Sequence, residues 1–200
     1  MTERPPVRRI TDAVTMRALA HPVRLSILEV LGLSGPLTAT EVGERIGESP
    51  TTCSFHLRQL AKYGFVEEAG GGKGRARPWR MTGVATDISA GDPEAEIASN
   101  ALTSLVLARH LEWHRRWVET RSSYPERWRR AANESSYVAY LTVDELEQLN
   151  ERISDLFLGL GTERLTDPSK RPAGSVPVDT VVLSFPLAVP DPERDPEAGP

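Results

Sequence analysis

Two short helical runs with a two-residue break between them, inside residues 41–63, restrict what this chain can fold into more than any other feature. Val42 and Ile46 mark the inward side of the first run, Glu41–Ile46, and Gly47-Glu48 makes a tight turn. Ser49 can cap the second helix, and Pro50 suits its first position, where no N–H is needed. Within Pro50–Tyr63, Cys53, Leu57 and Leu60 recur at helical spacing and define one buried face. Gly64 ends the helix. The other face carries Thr51, Thr52, Ser54, Phe55, Arg58, Gln59 and Lys62.

Short hydroxyls, an amide and cations are the groups that reach base edges and phosphates. Phe55 is exposed by periodicity, where it can meet a thymine methyl or be covered by a second chain. His56 lies one turn from both Cys53 and Leu60, beside the buried face. It either steadies the helix against phosphate or satisfies a polar contact in the core. A hairpin pattern follows: a strand over Phe65–Ala69, a glycine loop, and a cationic strand with Lys73, Arg75, Arg77 and Arg80. Gly70–Gly74 is not a phosphate-binding P-loop, because Lys73 is followed by Gly74 and then a strand-like segment. Alternation puts Arg75 and Arg77 on one face, with Trp79 on the same face where the strand meets the body.

Upstream, Thr11–Ala20 reads as a first helix with Val14 and Leu19 inward, broken by His21-Pro22. Val23–Leu33 is a second, with Val23, Ile27, Val30 and Leu31 as its apolar stripe. Gly32 and Gly35-Pro36 stop it, and Thr38 or Thr40 caps the third. Two short helices joined by a glycine turn form the helix-turn-helix pattern, and the basic hairpin adds a wing.

The run ALAHPVRLSILEVL, followed by LTATEVGERIGESPTTCSFHLRQLAKYGFVEE, resembles the winged helix-turn-helix of ArsR-like bacterial transcriptional repressors. The matching motifs are A-x-x-H-P-x-R-x-x-I-L, S-x-x-x-x-S-x-H-L-x-x-L and Y-G-F-V-E, within about residues 12–83. The resemblance implies a cytosolic, dimeric, DNA-binding regulator that usually represses and is released by a small effector or metal. It places Ser49, Thr51, Thr52, Ser54, His56 and Arg58 at or near DNA, with Lys73, Arg75 and Arg77 in the wing. His21 and Arg24 fall in its opening motif, where they tie the second helix to its neighbours.

Charge is distributed to match. Residues 1–83 hold 12 Lys+Arg against 8 Asp+Glu, a net of +4, and residues 84–200 hold 12 against 20, a net of −8. DNA contact therefore belongs to the first part. No apolar run approaches bilayer length, and the N-terminus lacks a signal-peptide core, so the expected location is cytoplasmic with no membrane partner. Cys53 is the only cysteine, which rules out an intrachain disulfide or thiolate cluster.

The second part begins with a connector, after which Asp92 caps a long helix, roughly Glu94 to Arg121. Ile97, Leu102, Leu105, Val106, Leu111, Trp113, Trp117 and Val118 give it more than one apolar stripe, so a second chain is expected to cover one side. His110 and His114 share a face at i, i+4 spacing, which can hold a metal ion, although two ligands do not complete a site. Ser123–Ala132 forms a short amphipathic helix. Ser135–Leu141 alternates like a strand, and Thr142 with Glu145 forms a capping box for a helix to about Leu158, with Leu146, Leu149, Ile153, Leu156 and Phe157 inward. Val178–Val189 is a last strand. Trp113, Trp117, Tyr137 and Tyr140 can line an effector pocket or simply fill a core.

The expected fold is mainly α with small β: an N-terminal winged helix-turn-helix, a long dimerisation helix and a C-terminal β-α-β unit. The expected parts are a flexible arm (1–10), the DNA-binding domain (11–83), a connector and helical dimerisation region (84–132), a dimerisation or effector unit (133–189) and a disordered acidic tail (190–200). The expected partners are a palindromic double-stranded operator, a second copy of the chain and a small-molecule effector. No cofactor and no enzymatic activity is expected, since no catalytic constellation can be read. The alternatives are a metal-responsive repressor using His110 and His114, and a winged helix that docks another protein.

Overall fold

The computed structural model describes residues 8–70, 77–83, 86–88, 91–160 and 163–189. Residues 1–7 of the expected arm, the glycine-rich wing tip with Lys73 and Arg75, and the tail 190–200 lie outside them. Each N-terminal helix starts at a side-chain cap. Asp12 Oδ1 accepts the Thr15 N–H at 2.8 Å to open α1 (Ala13–Leu19). His21 Nδ1 accepts the Val23 N–H at 3.2 Å to open α2 (Pro22–Ser34). Thr38, not Thr40, opens α3 (Ala39–Ile46), in a capping box with Glu41. Ser49 opens α4 (Pro50–Lys62), whose first residue is proline. The intervening turns need glycine where φ is positive, 77° at Gly47 and 69° at Gly64.

β2 (Val66–Glu68) and β3 (Trp79–Met81) pair antiparallel with Glu67 opposite Arg80. The base of this hairpin is tied to the body. Leu37 and Trp79 exchange backbone hydrogen bonds of 3.0 and 2.7 Å. A further pair was not expected. β1 (Arg8–Ile10) lies parallel to β4 (Thr86–Ile88), and Ile10 is buried in the core. Residues 8–10 are therefore not part of a free arm. Two three-residue strands separated by more than 70 residues carry no local signal that they will meet.

The core gathers Met16, Ile27, Leu31, Val42, Cys53, Leu57 and Leu60 with Ala95, Ala98 and Leu102. The last three come from α5 (Pro93–Thr120), which packs its first turns against α1. At about 1.5 Å per residue this helix runs roughly 42 Å, well past the core. Val14 is 57% exposed, against expectation, because α1 turns Ala13 and Met16 inward. No helix among the described residues is long and apolar enough to cross a membrane.

Beyond α5 come α6 (Glu126–Ala131), α7 (Val143–Gly159) and α8 (Glu163–Thr166). The expected capping box of Thr142 and Glu145 opens α7. The mainly helical fold and the winged domain match expectation. Of the C-terminal β-α-β unit the chain forms only the helix: 135–141 and 178–189 have no strand partner among the described residues. Leu149, Leu156 and Phe157 are exposed rather than inward, while Leu146 and Ile153 are half-buried, because α7 meets only the extended segment at Thr180 and Val182, across an open cleft, among the described residues. This segment is fastened to the winged domain by Arg171. Its guanidinium donates to Leu33 O at 2.8 Å and Gly32 O at 3.0 Å, carbonyls left open at the end of α2, and to Arg164 O at 2.8 Å in α8.

Candidate nucleic-acid interface

α4 is held from beneath and free above. Cys53, Leu57 and Leu60 are fully buried, and α3 crosses closely enough that only glycine fits at Gly43. A Cβ there would stand 2.5 Å from Glu48 O. The outward side presents Thr51, Phe55, Arg58 and Lys62 to solvent, with Thr52, Ser54 and Gln59 half-buried along its edges. Ser49 and Thr52 are joined at the helix start, their hydroxyls 2.8 Å apart. Arg58 Nε donates to Ser54 O at 3.1 Å, which aligns the guanidinium with the helix. The Lys62 ammonium stands 5.6 Å from the centre of the Tyr63 ring. One rigid helix thus displays hydroxyls, an aromatic ring and two cations, the groups that make base and phosphate contacts.

His56 takes the core side of its two readings. It is 8% exposed, and its ring centre lies 4.5 Å from that of His21. Its Nδ1 has no hydrogen-bond partner among the described residues. Burial holds its pKa below the ordinary 6.5, with His21 and Arg24 adding to the effect and Glu48 opposing it. His21 is lowered likewise, first by burial and then by Arg24. Unfolding restores ordinary values, so below pH 6.5 the unfolded chain binds more protons than the folded one. The stability linked to these two imidazoles is full above pH 6.5 and is lost as pH falls through their lowered folded values. Thermal melts should show the midpoint dropping between pH 7 and pH 5, with a smaller drop in His56→Gln. Equal drops in both proteins would place the acid sensitivity elsewhere.

The wing is less basic than its arginines suggest. Arg77 pairs with Glu68 and Arg80 with Glu67, each at 2.7 Å. Pairing with Glu68 raises the Arg77 pKa above its ordinary value. These pairs are solvent-exposed and contribute little to stability, so Arg77 can leave Glu68 for a phosphate at low cost. Trp79 packs on the core at the wing base, on the body side expected for it.

His110 and His114 share a face of α5, as expected, but turn to different carboxylates. His110 Nδ1 lies 2.7 Å from Asp179 Oδ1, whereas His114 Nε2 lies 3.6 Å from Glu134. No group of three potential ligands for a metal forms among the described residues. Tyr137 and Tyr140 are 89% and 103% exposed, so neither is enclosed beside Trp113 or Trp117 as the lining of a pocket would be. Trp117 does line a cleft of about 410 Å³ with Arg121, Arg129 and Glu134, a more cationic site than four aromatics would make. Sequence reading also missed the link between α5 and α2. Arg109 donates to both carboxylate oxygens of Glu29 and, at 3.1 Å, to Ser26 Oγ. Partners 80 residues apart leave no periodic signal.

A helix-turn-helix whose second helix is exposed, followed by a tethered antiparallel hairpin, defines a winged helix-turn-helix domain. Residues 19–69 match a family model described as "Helix-turn-helix domain", so this part of the chain carries a helix-turn-helix domain. No curated protein matches it. Similar solved structures include reduced HlyU from Vibrio cholerae N16961, 24% identical, covering 46% of this chain and 86% of that one, TM-score 0.31. The transcriptional repressor BigR from Xylella fastidiosa is 27% identical, covering 48% and 84%, TM-score 0.32. The homodimeric winged helix-turn-helix DNA-binding domain of Mb0332 from Mycobacterium bovis, described as a possible ArsR-family regulator, is 28% identical, covering 50% and 82%, TM-score 0.32.

Proposed function

We propose that the chain acts in the cytoplasm as a homodimeric repressor that reads a palindromic operator and is released by a small-molecule effector. The observation that carries this is the outward face of α4, with Thr51, Phe55, Arg58 and Lys62 on a helix anchored by three fully buried residues. Thr51, Thr52, Ser54, Phe55 and Gln59 read base edges, and Arg58 and Lys62 hold the backbone at the groove rim. Ser49 contributes as the cap that fixes the helix start. The wing, with Lys73, Arg75 and Arg77, rests on flanking phosphates. α5 joins two copies through exposed apolar residues such as Ile97, Leu111 and Val118. The cleft at Trp117, with Arg121 and Arg129 on its walls, suits an organic anion as effector.

Selection from random duplexes tests the reading. The expected product is an inverted repeat with half-site centres about 34 Å apart or a multiple of that. An enriched site without two-fold symmetry would sink the dimeric reading, and no enrichment would sink sequence reading altogether. On the selected site, Arg75→Ala with Arg77→Ala should weaken binding to all duplexes alike and reduce the salt slope by about 2. An unchanged slope removes the wing from the phosphates. Small organic anions added to the same complex should release it, and release that persists in Arg129→Ala places the effector elsewhere.

A further inference from the structure

We infer that residues 133–189 form an exchanged arm: the extended segments 135–141 and 178–187 take their ladder partners from the same arm of a second copy, and the acidic α7 lies against that copy's α5–α6 arginines. The inference rests on the homodimer reading and goes beyond it by naming which surfaces meet.

Both segments are built as strands and lack what strands need. Tyr137, Ala139 and Leu141 alternate with Val138 and Tyr140, and Val181, Leu183 and Phe185 alternate with Val182 and Ser184. Tyr137 and Tyr140 stand almost wholly in water, and Phe185 is 65% exposed. Neither segment has a ladder partner among the described residues. Long apolar edges left unpaired are the kind that recruit another chain. The arm is held to its own chain at three places, where Glu134 meets His114, Asp179 meets His110 and Arg171 meets the end of α2. The apolar faces between those ties have no cover from the core.

Two features point to a second copy as the occupant. The first is charge. Residues 109–130 hold seven Arg against three Glu, a net of +4, whereas 133–189 hold nine Asp+Glu against four Lys+Arg, a net of −5. The acids cluster on α7 (Asp144, Glu145, Glu147, Glu151 and Asp155), and Arg116 and Arg127 are exposed in the basic stretch outside the Trp117 cleft. One chain thus carries both halves of a complementary pair, which a two-fold axis satisfies twice. The second is continuity, because the arm lies along the same α5 whose Leu111 and Val118 are exposed.

The test uses the full chain with a photo-crosslinking residue at Tyr140, at a concentration where light scattering reports the mass. The expected product on a denaturing gel has twice the chain mass, with the crosslinked peptide inside 109–130 or 133–189. Tyr140→Glu with Phe185→Glu should weaken self-association at least tenfold while helix content by circular dichroism is retained. A dimer whose crosslinks stay within one chain, or land on the winged domain, overturns the exchanged arm and leaves the dimer reading standing. A chain that scatters as a monomer overturns both.

Discussion

Gly43→Ala should lower the melting temperature by roughly 10–20 °C and abolish operator binding at temperatures where the wild type binds. The new methyl would sit 2.5 Å from Glu48 O, a backbone atom in the turn that aims α4. Gly43 O also accepts the N–H groups of Gly47 at 2.9 Å and Glu48 at 3.0 Å, so the turn cannot move away without losing them. Overpacking of this kind costs about 3 kcal/mol, and each kcal/mol moves a small domain's midpoint by roughly 4–8 °C. Gly47→Ala is the contrast. Nothing lies within 4 Å of its Cβ, and the cost comes from φ of 77° alone. That strain is about 1 kcal/mol. Calorimetry on the two variants separates the effects, and equal midpoints would mean that Gly43 does not approach the Glu48 carbonyl this closely.

Leu57→Ala and Arg58→Ala, adjacent in sequence, should fail in opposite ways. Leu57 is fully buried between α4 and the rest of the core. Its truncation should cost about 2–5 kcal/mol. Arg58 is exposed and spends one hydrogen bond on Ser54 O. Its loss should leave stability within about 0.5 kcal/mol and reduce operator affinity roughly 10–100-fold. Denaturant melts and a binding isotherm on each variant decide the matter. If Arg58→Ala binds as the wild type does, the outward face of α4 is not the reading surface.

The winged domain was legible because its signals are local. Ser49, Pro50 and Gly64 mark the ends of α4, and Cys53, Leu57 and Leu60 mark its buried side within a single helix. Val14 and His56 were not settled that way. Each sits at the border of a stripe, where a rotation of the helix by a fraction of a turn decides which side it faces.

The rest depended on long-range partners. β1 and β4 are three residues each and meet across more than 70 residues, so only closure of the core brings them together. Arg109 finds Glu29, and Arg171 finds the end of α2, by the same closure. The strand-like segments at 135–141 and 178–189 show the converse. Their alternation was plain, yet no ladder forms among the described residues, because alternation records a preference for a pleated surface and not the presence of a neighbour. By itself, then, the sequence determined where helices begin and end, which face of α4 is buried, and where positive charge collects, all set by neighbours within a few residues. The tertiary structure alone decided that His56 turns inward, that wing arginines pair with Glu67 and Glu68, and that the C-terminal arm leaves its apolar faces open. Those outcomes depend on what stands opposite each side chain in space.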